Sequence, residues 1–389
     1  MRTRVVPLLT TAAILLFGAG ILLMPGDVAA AARTAAGMAA GSVLPTLFPF
    51  LVLADLAVAM GVTEQIGSRM GGLMSRLFRQ PGAAGPVLAL GLLSGYPVGA
   101  AAAVKLYRAG GCTREQGGRL LALCNNTGPA FAVGVVGAAL WGSARVGWML
   151  YLCHLLAALL SGVLLAARAP SVPQGRPGRK VGRAGLGAAL TASIKGAAMT
   201  SLYIAAYIVF FGVLIALLRQ SGLLQALTRL LPGDGACWEA LLSGAIEMTT
   251  GIALTTALPL PARWRLALQS LLMGLAGLSV LCQVQGVLEE TDLPMGPYLK
   301  GKLLQGGLAA LLTYALFPLF RPVLPASAVP APVTLSPTLF WLMVLLTVCA
   351  FVLSALLALL LARLADRVSE RYGWDLFEHL PDPLWYPWV

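Results

Sequence analysis

The chain has 389 residues, of which 58% are hydrophobic and only 11% are charged. A soluble chain of this length carries far more surface charge, so the composition excludes a soluble globular protein and indicates a polytopic membrane protein. The net charge of +12 is spread over short loops and forms no basic domain, which excludes nucleic-acid binding and fits cytoplasmic loops against anionic lipid.

The N-terminal part predicts a spanning helix over Val5–Met24, preceded by two arginines on the cytoplasmic side. A weakly apolar, Ala-rich helix over Asp27–Ser42 is expected next, as an interfacial or re-entrant segment. A second span, Leu44–Val62, follows and contains Asp55. Because a charge is costly in lipid, Asp55 is either a coupling residue or a hydrogen-bond partner of a neighbouring helix.

The segment Ala83–Lys105 is apolar but contains Ser94, Gly95, Tyr96 and Pro97 near its centre. Backbone cannot unwind against lipid, because an unpaired N–H or C=O there is very costly, so this first break must face protein or a water-filled cavity. Basic residues flank the segment on both sides and favour a re-entrant hairpin over a full crossing. Broken membrane helices of this kind form the binding sites of many transporters.

A second break, which consists of Asn125, Asn126 and Thr127 followed by a glycine and a proline, interrupts the predicted outward span Leu120–Leu140. The span Val146–Ala167 then returns. In both breaks the proline stands where a new half-helix begins, and the N–H groups of that half-helix are predicted to face a solute. A proline kink or a seam of small residues would explain one such break, but two neighbouring breaks favour a binding site.

The second half repeats this plan after the loop Arg168–Arg183, which has several basic residues and no acidic one and is therefore predicted to be cytoplasmic. A weak helix over Leu186–Thr200 and a span over Ser201–Leu218 open this half. The Leu-Leu-Ser-Gly sequence of the first break recurs at Leu241–Gly244, ahead of a third break, and a fourth lies at Gly274–Gly277. The residues predicted to contact a solute here are Glu247, Thr249, Thr250, Ser279 and Gln283.

Glu247 is the most specific of these residues. A carboxylate at membrane depth must find a partner, titrate or bind a ligand. We interpret Glu247 as a solute-binding or proton-coupling residue, with structural pairing as the alternative. The coupling candidates are therefore Asp55 and Glu247.

The order of weak helix, span, broken hairpin and broken span thus occurs twice, which indicates an internal duplication. An odd number of crossings separates equivalent elements, so the halves are predicted to have opposite topology, as in many secondary transporters. The expected fold is an all-α polytopic membrane protein of two inverted-topology repeats, each with a re-entrant hairpin and a broken transmembrane helix, plus a C-terminal extra helix. The expected domains are the first transporter repeat (1–167), a cytoplasmic linker (168–185), the second transporter repeat (186–320), a Pro-rich linker (321–337), and a C-terminal transmembrane helix with an interfacial tail (338–389).

This orientation conflicts with part of the charge pattern. It places four arginines of the second half outside and Glu289, Glu290 and Asp292 inside, against the usual bias. Lys300 and Lys302 partly restore that bias.

The side chains needed for metal, disulfide or enzyme chemistry are scarce. The six cysteines have no ligand spacing, so we expect neither a disulfide framework nor a metal site. His154, one of two histidines, is interpreted as a packing residue, with a proton relay as the alternative. No zinc-protease, nucleophile-elbow or Walker motif is present, so we expect no enzyme activity, no cofactor and no direct use of ATP.

Four motifs, Leu92–Ala100, Leu123–Pro129, Glu247–Gly251 and Gly277–Val280, resemble those of the sporulation integral membrane protein YlbJ (SpoVV) family, which carries the nucleoside-recognition, or Gate, domain. The resemblance implies a multi-pass protein of a bacterial cell membrane. In a spore-forming bacterium, that membrane would be the outer forespore membrane. It also implies transport of dipicolinic acid from the mother cell toward the forespore. The name of the Gate domain implies kinship to nucleoside transporters.

Two classes of function remain open at this stage. The first is a secondary transporter of a small polar aromatic anion, with dipicolinic acid as the substrate and a nucleoside or related solute as the alternative. The second is a membrane-embedded enzyme or an assembly scaffold without transport activity, and the missing enzyme motifs favour the scaffold. The expected partners are a small-molecule substrate and membrane lipids, without nucleic acid, and a homo-oligomer is left open.

Overall fold

The computed structural model describes residues 2–170, 185–289, 291–320, 336–338 and 341–349. The described residues are almost entirely helical and contain no strand, which confirms the all-α class. The predicted linkers over 168–185 and 321–337, and the predicted C-terminal helix and tail, lie largely outside the described residues.

Helices follow one another with short connections. In chain order they are α1 Arg2–Leu23, α2 Pro25–Met38, α3 Leu44–Ala59, α4 Val62–Arg69, α5 Gly71–Leu77, α6 Ala84–Ser94, α7 Val98–Arg108, α8 Arg114–Cys124, α9 Ala144–Ala166, α10 Leu186–Gln220, α11 Leu223–Arg229, α12 Gly235–Ile246, α13 Met248–Thr256, α14 Ala262–Leu275, α15 Gly277–Leu288 and α16 Met295–Phe320. Two π-helical segments, Ala39–Val43 and Ala130–Leu140, complete the set.

Five helices of the described part are long and apolar enough to cross a membrane. They are Pro25–Ala59, Ala144–Ala166, Leu186–Gln220, Ala262–Leu288 and Met295–Leu319. Together with the shorter apolar helices, they make the chain a multi-pass membrane protein.

The separate weak helix predicted ahead of a span in each half is wrong. Pro25–Ala59 and Leu186–Gln220 each form one continuous helix of 35 residues. Alanine is the strongest helix former, so an Ala-rich stretch continues a helix even where it is only weakly apolar. In the first half the chain also passes Pro45, which has no N–H to donate, and the π-helical turn Ala39–Val43 lies just ahead of it.

The order of elements is the same in both halves. After α1, which precedes this series in the first half, a helix of 35 residues comes first, and one or two short helices follow it (α4 and α5, or α11). A hairpin comes next (α6–α7, or α12–α13), then a broken helix (α8 with Ala130–Leu140, or α14–α15), then a long helix (α9, or α16). The last two long helices, α9 and α16, pack against each other.

Asp292 ties the two halves together at one end of the molecule. Arg114, the first residue of α8, has its Nε 3.1 Å from Asp292 Oδ2. Tyr107, near the end of α7, donates its hydroxyl to Asp292 Oδ1 at 2.6 Å. This hydrogen bond, with a smaller effect of Arg114, lowers the pKa of Asp292. The predicted orientation places Asp292 on the cytoplasmic side, against the usual charge bias. Its pairing with Arg114 compensates for that negative charge.

The breaks lie where two apolar clusters meet. One cluster includes Leu271, Leu272 and Phe131, and the other includes Leu120 and Leu121. Tyr96 of the first break packs against both clusters. The polar residues of the breaks are therefore enclosed by packed helices, as the cost of exposing unpaired backbone to lipid requires.

Candidate functional site

The first break separates α6, which ends at Ser94, from α7, which begins at Val98. Gly95 adopts φ +85°, a conformation that favours glycine. A Cβ on Gly95 would also lie 2.8 Å from the backbone nitrogen of Gly128. The first and second breaks therefore touch through backbone, and a side chain at position 95 would separate them.

The second break is held by its own asparagines. α8 ends at Cys124, and Asn125 Oδ1 accepts a hydrogen bond from the backbone N–H of Ala100, in the first turn of α7, at 3.3 Å. Asn125 Nδ2 donates to the hydroxyl of Tyr298 at 3.1 Å, and Asn126 Nδ2 donates to the carbonyl oxygen of Leu123 at 2.6 Å. Both asparagines are fully buried. Their amides thus satisfy helix ends at the break.

A buried lysine supplies the remaining donor at this break. Lys302 Nζ donates to Asn125 O at 2.6 Å, to Asn126 Oδ1 at 3.2 Å and to Gln305 Oε1 at 2.6 Å. The side chain of Lys302 is fully buried. The sequence analysis counted Lys302 only toward the charge bias of the loops, whereas α16 begins at Met295 and carries this residue two turns into the protein.

His154 of α9 belongs to the same network. Its Nε2 accepts the backbone N–H of Thr127 at 3.2 Å, and Gln305 Nε2 lies 3.0 Å from the same atom. Among the described residues, His154 Nδ1 has no hydrogen-bond partner. The backbone N–H of Thr127, two residues before Pro129, is thus bound by a histidine and does not face a solute.

A tyrosine and a threonine connect the breaks of the two halves. Tyr96 donates its hydroxyl to the carbonyl oxygen of Met273 at 2.8 Å. Thr127 Oγ1 donates to the same carbonyl at 3.2 Å and also lies 3.2 Å from the Tyr96 hydroxyl. Met273 is in the last turn of α14, where carbonyl groups lack a partner within the helix. The first half therefore completes a helix end of the second half.

Glu247 forms the third break by capping α13. Its Oε1 accepts the backbone N–H of Thr249 at 2.9 Å, and its Oε2 accepts that of Thr250 at 2.7 Å. A carboxylate at a helix N-terminus satisfies unpaired donors and interacts favourably with the helix dipole. The partner that a buried carboxylate requires is thus the helix end itself.

The fourth break separates α14 from α15 at Ala276 and Gly277, which have φ of +70° and +75°. A Cβ on Gly277 would lie 3.0 Å from the carbonyl oxygen of Gly244 and 3.2 Å from the backbone nitrogen of Met248. The third and fourth breaks therefore touch through backbone, as the first and second do.

One cavity lies at the junction of all four breaks, and we name it the central cavity. Its polar lining is Ser94, Gly95, Tyr96, Thr127, Tyr207, Glu247, Thr249, Ser279 and Gln283. The structure thus brings together most of the residues predicted to contact a solute. The others, Pro97, Asn125, Asn126 and Thr250, do not line it.

The far wall of the central cavity is mostly apolar and comes from the two 35-residue helices. Tyr207 of α10 is its polar member, and the Tyr207 hydroxyl accepts a hydrogen bond from Tyr203 at 3.2 Å. Leu47 and Leu51 of α3 face Ile204 and Ile208 of α10 across it. Asp55 lies one helical turn beyond Leu51 on α3; it is buried, but it does not line the cavity.

The central cavity encloses about 60 Å³. Sites for small molecules usually measure about 300–1,000 Å³, so the cavity in this conformation is too small to hold a solute of that size. A solute of ordinary size fits only if a wall of the cavity moves.

Sequence reasoning missed the residues of the network that lie far from the breaks in sequence. Lys302, Gln305 and Tyr298 are on α16; His154 of α9 was named, but as a packing residue and not as a partner of the second break. A lysine and a glutamine three residues apart share one face of a helix. That pair, inside an otherwise apolar span, is the signal that could have identified them.

The comparisons with known proteins agree with the motifs. A family described as nucleoside recognition (Gate) matches residues 40–144, from the π-helical turn after α2 to the start of α9. The chain is 28% identical over 313 residues to the sporulation integral membrane protein YlbJ of Bacillus subtilis (strain 168), with 74% of this chain and 77% of that protein covered. No solved structure matches the chain. The resemblance inferred from the motifs is confirmed: the chain is a multi-pass integral membrane protein that is similar to the Gate family over residues 40–144 and to YlbJ over most of its length.

Proposed function

We propose that the chain is a secondary transporter that carries a small polar solute through the central cavity. The observation that carries this proposal is the meeting of four breaks, one hairpin and one broken helix from each half, around one space with a polar lining. Transporters build binding sites from discontinuous helices near the membrane midplane, because unwound backbone is tolerated only where it lines a cavity or is buried in protein. A scaffold has no need of such a cavity.

We further propose that the solute is a small aromatic anion, dipicolinic acid, and that the protein acts in sporulation. The similarity to a protein named for sporulation supports this setting. The buried ammonium of Lys302 lies 5.5 Å from the ring centroid of Tyr96, which lines the cavity. A positive charge therefore lies close to the cavity, which favours an anionic solute. Tyr96 and Phe131 supply aromatic faces to the lining, and Ser94 and Ser279 supply hydroxyl donors.

A nucleoside is the second candidate substrate. The Gate family is described by nucleoside recognition. Glu247, Thr249 and Gln283 line one side of the cavity, and carboxylate, hydroxyl and amide groups suit the hydroxyl groups of a ribose.

Solute counterflow into liposomes tests both proposals. The purified full-length protein is reconstituted, the vesicles are loaded with unlabelled dipicolinate, and entry of radiolabelled dipicolinate is measured against protein-free vesicles. We expect exchange that is inhibited by excess external dipicolinate and not by uridine. Exchange of labelled uridine without exchange of dipicolinate would support the nucleoside instead, and exchange of neither solute would contradict a transporter of this class.

A further inference from the structure

The ammonium group of Lys302 lies at the C-terminal end of α8 in a group of three oxygen atoms, which we name the oxygen nest. The nest consists of Asn125 O, Asn126 Oδ1 and Gln305 Oε1, at 2.6, 3.2 and 2.6 Å from Nζ. It does not line the central cavity, so its role is separate from direct contact with a solute.

Backbone groups fix the orientation of the amide of Gln305. The N–H of Thr127 can only donate, so His154 Nε2 must be the acceptor of that bond. Gln305 then presents its NH₂ group to the same nitrogen, and its Oε1 faces Lys302. The roles of His154 Nε2 and of the Gln305 amide thus both follow from the main-chain N–H of Thr127.

The same reasoning fixes Asn126. The carbonyl oxygen of Leu123 can only accept, so the group of Asn126 that contacts it is the NH₂, and Oδ1 faces Lys302. Asn125 contributes a main-chain carbonyl oxygen, which is also an acceptor. The nest therefore presents three acceptors. An ammonium has three N–H donors and a neutral amine has two, so the geometry fits the charged form of Lys302.

The nest has the chemistry of a site for a monovalent cation. Its ligands are neutral oxygen atoms at the C-terminus of a broken helix, where unpaired carbonyl groups and the helix dipole favour positive charge. The rings of Tyr96 and Tyr298 flank Nζ at 5.5 and 5.6 Å from their centroids, which adds cation–π attraction. Within the described part of the chain, no carboxylate pairs with Lys302.

We propose that Lys302 is a built-in cation that occupies this nest in place of a free alkali ion. It joins α16 of the second half to the second break of the first half, and it closes that break without a bound metal. The protein therefore needs neither Na⁺ nor K⁺ at this position. Removal of the side chain converts the nest into a vacant site that accepts a small monovalent cation from solution.

Thermal unfolding of the purified full-length Lys302→Ala protein in detergent tests the proposal. The midpoint is measured in NaCl, in KCl and in propylammonium chloride, which replaces the lost part of the side chain, against choline chloride at equal ionic strength. We expect the variant to unfold at a lower temperature than the wild type in choline. We also expect a saturable rise of the midpoint with at least one of the three small cations, because a ligand that binds only the folded state stabilises it. The wild-type midpoint should be the same in all four salts.

Two further variants keep the test decisive. Lys302→Met fills the space with an apolar chain of similar length, so it should be destabilised and should not respond to any cation. Lys300→Ala removes an exposed lysine two residues earlier on α16 and should behave as the wild type. The proposal is overturned if Lys302→Ala responds to small cations no more than to choline, or if Lys302→Met is as stable as the wild type. If Lys302→Ala does not fold, the stability of Lys302→Met decides alone.

Discussion

Two serines of the broken helix α14–α15 differ in what their hydroxyl groups face. Ser279 lines the central cavity, whereas Ser270 shares a hydrogen bond of 2.6 Å with Thr313 Oγ1 in the buried interface with α16. Replacement of each by alanine removes the same hydroxyl from the same element, so the pair separates contact with a solute from stability.

We predict that Ser279→Ala weakens transport. One net hydrogen bond is worth about 0.5–1.5 kcal/mol, so the concentration for half-maximal dipicolinate exchange should rise about 2- to 12-fold. Ser270→Ala should lower the thermal midpoint, since Thr313 loses its partner, and should leave that concentration unchanged. Equal effects of both variants on exchange would contradict a solute contact at Ser279.

We predict a combined structural and coupling role for Glu247. Glu247→Gln replaces one of two acceptor oxygens by an NH₂ group that cannot accept the N–H of α13, so the stability should fall by about 1 kcal/mol. The variant should still exchange dipicolinate but should lose accumulation driven by a pH gradient. Persistence of pH-driven accumulation would leave Glu247 with the capping role only.

Glu239→Gln is the matched control for this variant. Glu239 lies on α12, ahead of the same break, and forms a partly exposed ion pair of 2.7 Å with Arg219. Exposed pairs contribute about 0–1 kcal/mol, so this change should leave both pH-driven accumulation and the thermal midpoint close to those of the wild type.

At the residue scale, sequence reasoning identified polar groups but not their partners. Asn125 was predicted to bind a solute, yet its side chain bonds to Tyr298, 173 residues later in the chain. A single sequence indicates that a buried amide needs partners, but it does not indicate which distant residue supplies them. The partners are set by the packing of α16 against α8.

At the scale of elements, contact between breaks depends on glycine. We predict that Gly95→Ala destabilises the protein more than Gly110→Ala. Both positions have positive φ, +85° and +69°, so both changes are strained, and Gly95, with ψ −165°, also lies in a region open essentially to glycine alone, where the strain is about 1–3 kcal/mol. Only Gly95 also faces backbone, 2.8 Å from Gly128 N, whereas no described atom lies within 4 Å of a Cβ on Gly110. Thermal midpoints measure the difference, and equal midpoints would show that the first and second breaks do not need close contact.

We predict that the hydroxyl of Tyr96 couples the two halves during transport. Tyr96→Phe removes its bond to Met273 O, so α14 loses a partner for its last turn. Tyr151→Phe removes a comparable bond of 2.9 Å, to the Leu92 carbonyl, that lies within the first half. Both changes should lower the thermal midpoint slightly, but only Tyr96→Phe should slow dipicolinate exchange. A similar loss of exchange in both variants would contradict a specific role in coupling.

The elements best predicted from sequence are those with local signals. Gly and Pro inside apolar segments predicted the hairpin at Ser94–Pro97 and the break after Cys124, and helices end at both places. The continuous helix Leu186–Gln220 was missed, because a fall in hydropathy is not a signal that ends a helix.

At the scale of the whole molecule, the two broken helices run in opposite directions. α8 begins at Arg114, next to Asp292, and α15 ends at Leu288, shortly before Asp292. At the other end, Arg265 of the first turn of α14 lies 4.7 Å from the ring centroid of Trp141, which follows Ala130–Leu140. The first broken helix therefore begins at the end of the molecule where the second broken helix finishes, so the two are antiparallel. This arrangement supports the inverted repeat proposed from the count of crossings.

We predict that the bases of the two hairpins lie on opposite sides of the membrane. Ala109 follows α7 and Gly235 begins α12, and both are exposed. Three crossings separate them if the broken helix α8 with Ala130–Leu140, α9 and α10 each span the bilayer. Single cysteines are introduced at these positions in a protein whose more accessible native cysteines, Cys112, Cys282 and Cys349, are replaced by alanine.

Labelling with a membrane-impermeant maleimide reads out the sidedness. With the basic loop 168–183 in the cytoplasm, Gly235→Cys should react in intact cells, whereas Ala109→Cys should react only after permeabilisation. Gly175→Cys, inside that loop, should behave as Ala109→Cys and reports the cytoplasmic side independently. Because the hairpins α6–α7 and α12–α13 both reach the central cavity, opposite sidedness of their bases means that the cavity is approached by one hairpin from each face. That geometry is what alternating access between two related halves requires. Labelling of Ala109→Cys and Gly235→Cys from the same side would overturn the inverted repeat while leaving the cavity and its lining in place.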